Sequence, residues 1–135
     1  MTILIYTDGA ARGNPGPAAA AYLIIKDNKI ITSNSSYLGK KTNNSAEYEA
    51  IINALQAAIE YSNEKIVVHS DSQLVIRQLN GEYKVRQKHL QNYFNKVKEL
   101  IDTLGIVKFT HLRRTNKYIQ KCDHLCNDIL DRRIH

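Results

Sequence analysis

The sequence predicts one α/β domain built on a sheet of mixed direction, and two observations carry that expectation. The first forty or so residues hold three apolar runs joined by turn signals, the pattern of a meander; beyond Ala46, apolar runs alternate with segments of helical period. Strands that meander first and are then separated by helices build a sheet with both antiparallel and parallel neighbours. At 135 residues the chain can bury a core without disulfide or metal staples, so a single domain over residues 1–135 is expected.

The elements follow in order. Ile3-Leu4-Ile5-Tyr6-Thr7 is rich in β-formers and suits a central strand that stops on Asp8-Gly9, delivering a carboxylate to the rim of the sheet. Residues 10–17 form a turn-rich loop whose glycines would let backbone come close to another molecule. Residues 19–25 read as the second strand, Asp27-Asn28 as a turn, and residues 29–32 with 36–38 as the third strand. The pattern breaks over residues 39–45. From Ala46 to about Tyr61 a helix is expected, with Ile51, Ala54, Leu55, Ala58 and Ile59 as its apolar stripe. Residues 65–70 are a fourth strand ending in Asp71, and 72–79 a short helix stopped by Asn80-Gly81. A longer helix covers about 87–104, ended by Gly105, with Leu90, Tyr93, Phe94, Val97, Leu100 and Ile101 inside. Residues 106–112 are the fifth strand and 119–132 the last helix. No repeat, linker or low-complexity tract interrupts this series.

Composition narrows the partners. Nineteen Lys and Arg against thirteen Asp and Glu give a net charge of +6, which favours a polyanion, although charge alone also suits a merely soluble basic protein. No apolar run approaches the roughly 20 residues that cross a bilayer, and no basic segment followed by an apolar one marks a leader; a soluble cytoplasmic protein, monomeric and without an obligate protein partner, is expected. Cys122 and Cys126 lie four apart and suit a helix face buried in a reducing compartment. Zinc binding with His124 between them would need a fuller set of four ligands.

The carboxylates carry the chemistry. Positions 47, 51, 54 and 58 form one line along a helix, so Glu47 continues the apolar stripe and faces the sheet. A buried carboxylate must be neutralised by a proton, a cation or a metal; the alternative is a capping box, Asn44-x-x-Glu47. Asp71 repeats the Asp8 situation after an apolar strand, with a helix N-cap as its alternative, as a hairpin turn is for Asp8. In the last helix Ile119, Asp123, Cys126 and Leu130 fall on one stripe, which places Asp123 inward, whereas Asp128 shares a solvated face with Lys121, Asp131 and Arg132. Four acids gathered at strand ends and on sheet-facing helix sides need countercharge, and oxygen-preferring Mg²⁺ or Mn²⁺ supplies it. Phosphodiester cleavage uses two such ions, one activating water and the other stabilising the leaving oxygen.

These residues, Tyr-Thr-Asp8-Gly-Ala-Ala-Arg-Gly-Asn-Pro-Gly-Pro, Thr42-Asn43-Asn44-Ser-Ala-Glu47, Asp71-Ser72-Gln73 and Cys122-Asp123, resemble type 1 ribonuclease H in that order and over nearly the whole chain. The resemblance implies a ribonuclease-H-like fold: a five-stranded mixed sheet, its first three strands antiparallel, with helices on both faces. It implies endonucleolytic, largely sequence-independent hydrolysis of the RNA strand of RNA–DNA hybrids, leaving 5′-phosphate and 3′-hydroxyl ends. By position it makes Asp8, Glu47, Asp71 and Asp123 the catalytic, metal-binding carboxylates of a site holding two ions with substrate bound. Asn14, Asn43, Asn44 and Gln73 match contacts to the minor groove and its 2′-hydroxyls, which short amides can both donate to and accept from. Thr42 matches part of a pocket for a DNA phosphate.

Two departures stand out. Many relatives carry a basic protrusion between the third and fourth helices; here residues 80–88 pass directly into the next helix, leaving Lys84, Arg86 and Lys88 to grip the hybrid. Bacterial relatives often carry a histidine in the loop before the last helix, whereas residues 113–120 hold none and place Asn116 seven residues before Asp123. Two other readings remain at this stage: a non-catalytic hybrid- or duplex-binding module, and a relative that also cleaves double-stranded RNA.

Overall fold

A computed structural model describes residues 2–134. Strands β1 (Thr2–Ala11), β2 (Gly16–Lys26) and β3 (Lys29–Lys41) form the meander. Then follow α1 (Asn43–Ala57), which tightens into a 3₁₀ turn over Ala58–Tyr61, β4 (Lys65–Ser70), α2 (Gln73–Leu79), α3 (Lys88–Leu104), β5 (Val107–His111) and α4 (Lys117–Ile134). The sheet runs β3-β2-β1-β4-β5, antiparallel across the first three and parallel where β4 joins β1 and β5 joins β4. No described helix is long and apolar enough to cross a membrane.

Alternation along β1 divides the interior into two layers. Ile3 and Ile5 face α1, α2 and α3, packing with Tyr48, Ile51, Leu55, Val75, Val97 and Leu100, while Tyr6 faces α4 with Leu23, Ile119, Cys122, Cys126 and Leu130. Tyr48 has no solvent exposure, and its hydroxyl donates to Gln78 Oε1 at 2.6 Å. That buried bond ties α1 to α2, the helices next to Glu47 and Asp71, and leaving either partner unpaired would cost about 1–3 kcal/mol.

The structure corrects several boundaries. β1 does not stop at Asp8: its pairing with β4 ends at Tyr6↔His69, whereas its pairing with β2 continues to Ala11↔Ala18. Asp8 therefore sits where one neighbouring strand has ended and the other continues, leaving one side of its strand open. β3 is continuous through the polar residues 33–36, because pairing with β2 satisfies the backbone of a strand whose side chains stay exposed or half-buried. α1 begins at Asn43 with Thr42 as N-cap, its hydroxyl accepting from Ser45 N–H at 3.1 Å, so Asn44 is not the cap. Ile59 lies in the 3₁₀ turn and is exposed. α4 starts earlier than its periodicity indicates, because Asn116 Oδ1 accepts from the Tyr118 and Ile119 amides.

Glycines 9 and 16 serve close approach within the chain rather than to another molecule. A Cβ on Gly9 would overlap the backbone of Ala46 and Glu47, and one on Gly16 would overlap the Arg12 carbonyl. β1 and the start of α1 can therefore touch only at a glycine.

Candidate active site

The open side of β1 is filled from α1 and β4. Glu47, one turn into α1, is carried by the close contact at Gly9 until its Oε1 accepts the Gly9 N–H at 2.6 Å. The capping-box alternative fails on this bond. Asp71 follows the last residue of β4, and the cap of α2 is Ser72, whose hydroxyl accepts from Val75 N–H at 3.3 Å. Asp71 is thus released from capping and points at its neighbours. Asp8, Glu47 and Asp71 each offer a carboxylate oxygen within 4.8 Å of the others, with Asp8 and Glu47 buried.

Asp123 lines the same cleft, together with Gly9, Ala10, Asn43 and Arg114, but it belongs to the exposed rim. The inward placement expected from periodicity is incorrect: the buried stripe of α4 is Ile119, Cys122, Cys126 and Leu130, and Asp123 lies one residue round from it. Asn127 Nδ2 donates to Asp123 Oδ2 at 3.3 Å. Arg12, from the loop after β1, donates to Asn127 Oδ1 at 3.4 Å and pairs with Asp131 at 2.6 Å, fastening this part of α4 to the first strand.

Electrostatics follow from the crowding. Burial first, then the charges of Asp71 and Asp123, push the Asp8 carboxyl up to about 8, against a smaller lowering by the Gly9 amide. Burial, then Asp8 and Asp71, push Glu47 well above the usual carboxylate range. Both thiols of α4 are likewise raised by burial, and they donate to the Tyr6 and Asp8 carbonyls at 3.4 and 3.5 Å, as core residues rather than zinc ligands. Among the described residues the only cation lining the cleft is Arg114, whose Nε lies 3.4 Å from Asp71 Oδ2. Three mutually close carboxylate oxygens with two of them buried fit a hard, oxygen-preferring divalent cation, since a proton or one exposed guanidinium neutralises them incompletely.

The other expected site residues divide. Asn43 lines the cleft; its Oδ1 accepts the Ala11 N–H at 3.0 Å, and its own N–H donates to Asn14 Oδ1 at 3.0 Å. The two amides therefore lock the loop after β1 against α1. Asn44 is half-buried in the first turn of α1, and Gln73 is exposed at the first position of α2, outside the cleft lining. Thr42 Oγ1 is engaged with Ser45. Lys84, Arg86 and Lys88 are exposed and outside the acid cleft; Lys84 lines a separate groove with Gln78, Tyr83 and Phe94. Sequence reasoning missed Arg114, Arg12 and Asn127. Arg114 stood in the loop noted for its missing histidine, but nothing local ties it to a residue 43 positions away.

A profile of the reverse-transcriptase-like family matches residues 6–126. The chain is 37% identical to the ribonuclease HI of Halobacterium salinarum over 127 residues, 93% of this chain and 63% of that protein. The chain belongs to the type 1 ribonuclease H family. It is 30% identical to the bifunctional protein Rv2228c of Mycobacterium tuberculosis, over 97% of this chain but 36% of the relative, so it spans only part of these longer proteins. Its fold superposes on the crystal structure of LC11-RNase H1 in complex with an RNA/DNA hybrid with a TM-score of 0.92 and 34% identity, covering 98% of this chain and 99% of that one. The ribonuclease H fold expected from the motifs, with its antiparallel first three strands, is what the structure has.

Two predictions arise here. The unfolded chain ionises Asp8 near pH 4 and the folded chain only near 8, so the folded state binds more protons between those values and metal-free stability falls as pH rises. Urea unfolding in chelator is expected to show a domain less stable at about pH 8.5 than at about pH 5.5, by on the order of 1–3 kcal/mol from this site, with added Mg²⁺ recovering the loss. Arg114→Ala removes the cation that lines the cleft; the expected result is about two- to fivefold tighter half-saturation by Mg²⁺ and a similarly raised KM for substrate, read from metal and substrate titrations.

Proposed function

We propose that this ribonuclease H domain hydrolyses the RNA strand of RNA–DNA hybrids as an endonuclease, without sequence preference, in the cytoplasm and as a monomer. The observation that carries the reading is the convergence of Asp8, Glu47 and Asp71 within 4.8 Å, with Asp123 on the rim, at a cleft open to solvent. The family relationship and the likeness to a ribonuclease H1 crystallised with a hybrid support it.

Asp8, Glu47, Asp71 and Asp123 would hold divalent cations, with Mg²⁺ the expected ion and Mn²⁺ an acceptable one. Bound there, two such ions supply Lewis acidity at the phosphodiester and a nucleophilic water at neutral pH. The chain's own residues do the rest. The Gly9 N–H fixes the Glu47 carboxylate, and the buried walls keep the acids close enough to demand cations. Asn43 lines the cleft and Asn14 braces it; with their carbonyls committed to the backbone, their amide N–H groups would serve as donors to the 2′-hydroxyls of an A-like strand. Water adds to phosphorus, the bond from phosphorus to the 3′-oxygen breaks, and that oxygen leaves with a proton, giving 5′-phosphate and 3′-hydroxyl ends.

The test is cleavage of a hybrid labelled in either strand, beside the same RNA paired with RNA. Cutting of the RNA strand alone, with ligatable 5′-phosphate ends, is the expected result. Cutting of the DNA strand would overturn the reading, and equal cutting of the RNA duplex would move the protein to the class acting on both.

A further inference from the structure

On the α4 face of the sheet, outside the acid cleft, lies a groove of about 760 Å³ between the β2–β3 turn and the first turns of α4. Asn28, Lys29 and Ile30 form one wall, and Lys117, Tyr118, Lys121 and His124 the other. Among the described residues, every ionisable group along it other than the tyrosine is a lysine or histidine, and no carboxylate lines it. None of its three lysines makes an ion pair among the described residues, although elsewhere Lys26 and Lys41 each find a glutamate. Lys117 sits 4.9 Å above the Tyr118 ring, which itself packs on Tyr6 at 4.8 Å, so this wall is backed by the core.

Uncompensated charge on both walls of one groove favours a polyanion. Its position says which. Positions 117, 121 and 124 share one side of α4, and Asp123, on the rim of the cleft, is the neighbour of His124 about 100° round the helix. From Asp123 back to Lys117 the helix rises only about 9 Å, the span of one or two nucleotide phosphates. We propose that this groove binds the phosphates of the nucleic-acid strand that leaves the acid cleft over α4, a second backbone contact on the sheet face opposite the Lys84–Lys88 loop. The inference rests on the hybrid-cleaving reading. An acidic cleft repels a bare phosphate backbone, so anchoring falls to cations outside it, and these three lysines are available for that.

The test is the salt dependence of binding. Fluorescence anisotropy in Ca²⁺ or chelator would follow a labelled hybrid of about 24 base pairs from about 50 to 300 mM salt, because each phosphate contact contributes roughly 0.9 to the slope of log K against log salt. With Lys29, Lys117 and Lys121 all changed to Gln, the slope should become shallower by about 2 and low-salt affinity fall about tenfold. The matching triple change to Arg should keep the parental slope, and a hybrid too short to reach α4 from the cleft should bind and be cleaved as before. An unchanged slope in the Gln variant, with parental cleavage intact, would overturn the groove assignment alone and point to an acidic protein segment as its occupant. A parent that neither binds nor cleaves hybrid would overturn both readings together.

Discussion

Asp8→Asn is expected to fold, to bind hybrid about as tightly as the parent and to cleave it at least a thousandfold more slowly, a loss of roughly 4 kcal/mol of transition-state stabilisation. Asp8 is the buried centre of the site: it raises the Glu47 carboxyl and is itself raised by Asp71 and Asp123. An amide keeps its size and its place in β1 but removes the charge that draws cations to the middle of the cluster. The same change should make the metal-free protein more stable at about pH 8.5, by on the order of 1–3 kcal/mol, because the repulsion that builds as Asp8 ionises is gone. Greater stability with lost cleavage separates a functional acid from a structural one. A variant that cleaves within tenfold of the parent would remove Asp8 from the metal-binding set.

Gly9→Ala should damage fold and site together. The added methyl would overlap the carbonyl carbon of Ala46 and the amide of Glu47, backbone atoms that cannot rotate aside. α1 must then back away from β1, withdrawing Glu47 from the Gly9 N–H and opening the layer around Ala46, Tyr48 and Ile51. The expected cost is about 3 kcal/mol or more, at the upper end of overpacking effects, with cleavage reduced about a hundredfold where the variant is still folded. Gly39→Ala is the control: its Cβ meets open space, so only the positive φ of 77° is penalised, at about 1–2 kcal/mol with activity kept. Urea unfolding with parallel cleavage assays decides it, and parental stability in Gly9→Ala would contradict the close approach.

What was legible in the sequence follows the reach of each signal. Glu47 was found by phase: positions 47, 51, 54 and 58 are all buried, as the helical period indicated. Asp71 was found as an acid immediately after an apolar strand. Asp123 was matched to the site by the family resemblance, but its inward placement by helical phase was incorrect, because Cys122 and Asp123 compete for the stripe through Ile119, Cys126 and Leu130 and the one through Cys122 is buried, leaving Asp123 on the rim. The polar stretch of β3 read as a break because composition does not show that a neighbouring strand will satisfy its backbone. Arg12, 115 residues from Asn127, and Arg114, 43 residues from Asp71, act through contacts that only the closed fold creates. Lys29 and Lys117 likewise share a groove across most of the chain, with no local pattern joining them.

The most direct test of the account is the metal requirement of hybrid cleavage. A 5′-labelled RNA paired with DNA would be incubated with the protein in excess EDTA, and again with Mg²⁺ or Mn²⁺ restored above the chelator. The expected result is intact RNA in EDTA and internal cuts along the RNA strand once the metal returns. Cleavage that persists in EDTA would contradict a carboxylate metal site, and retained hybrid binding with no cleavage in either metal would leave a binding module in place of an enzyme.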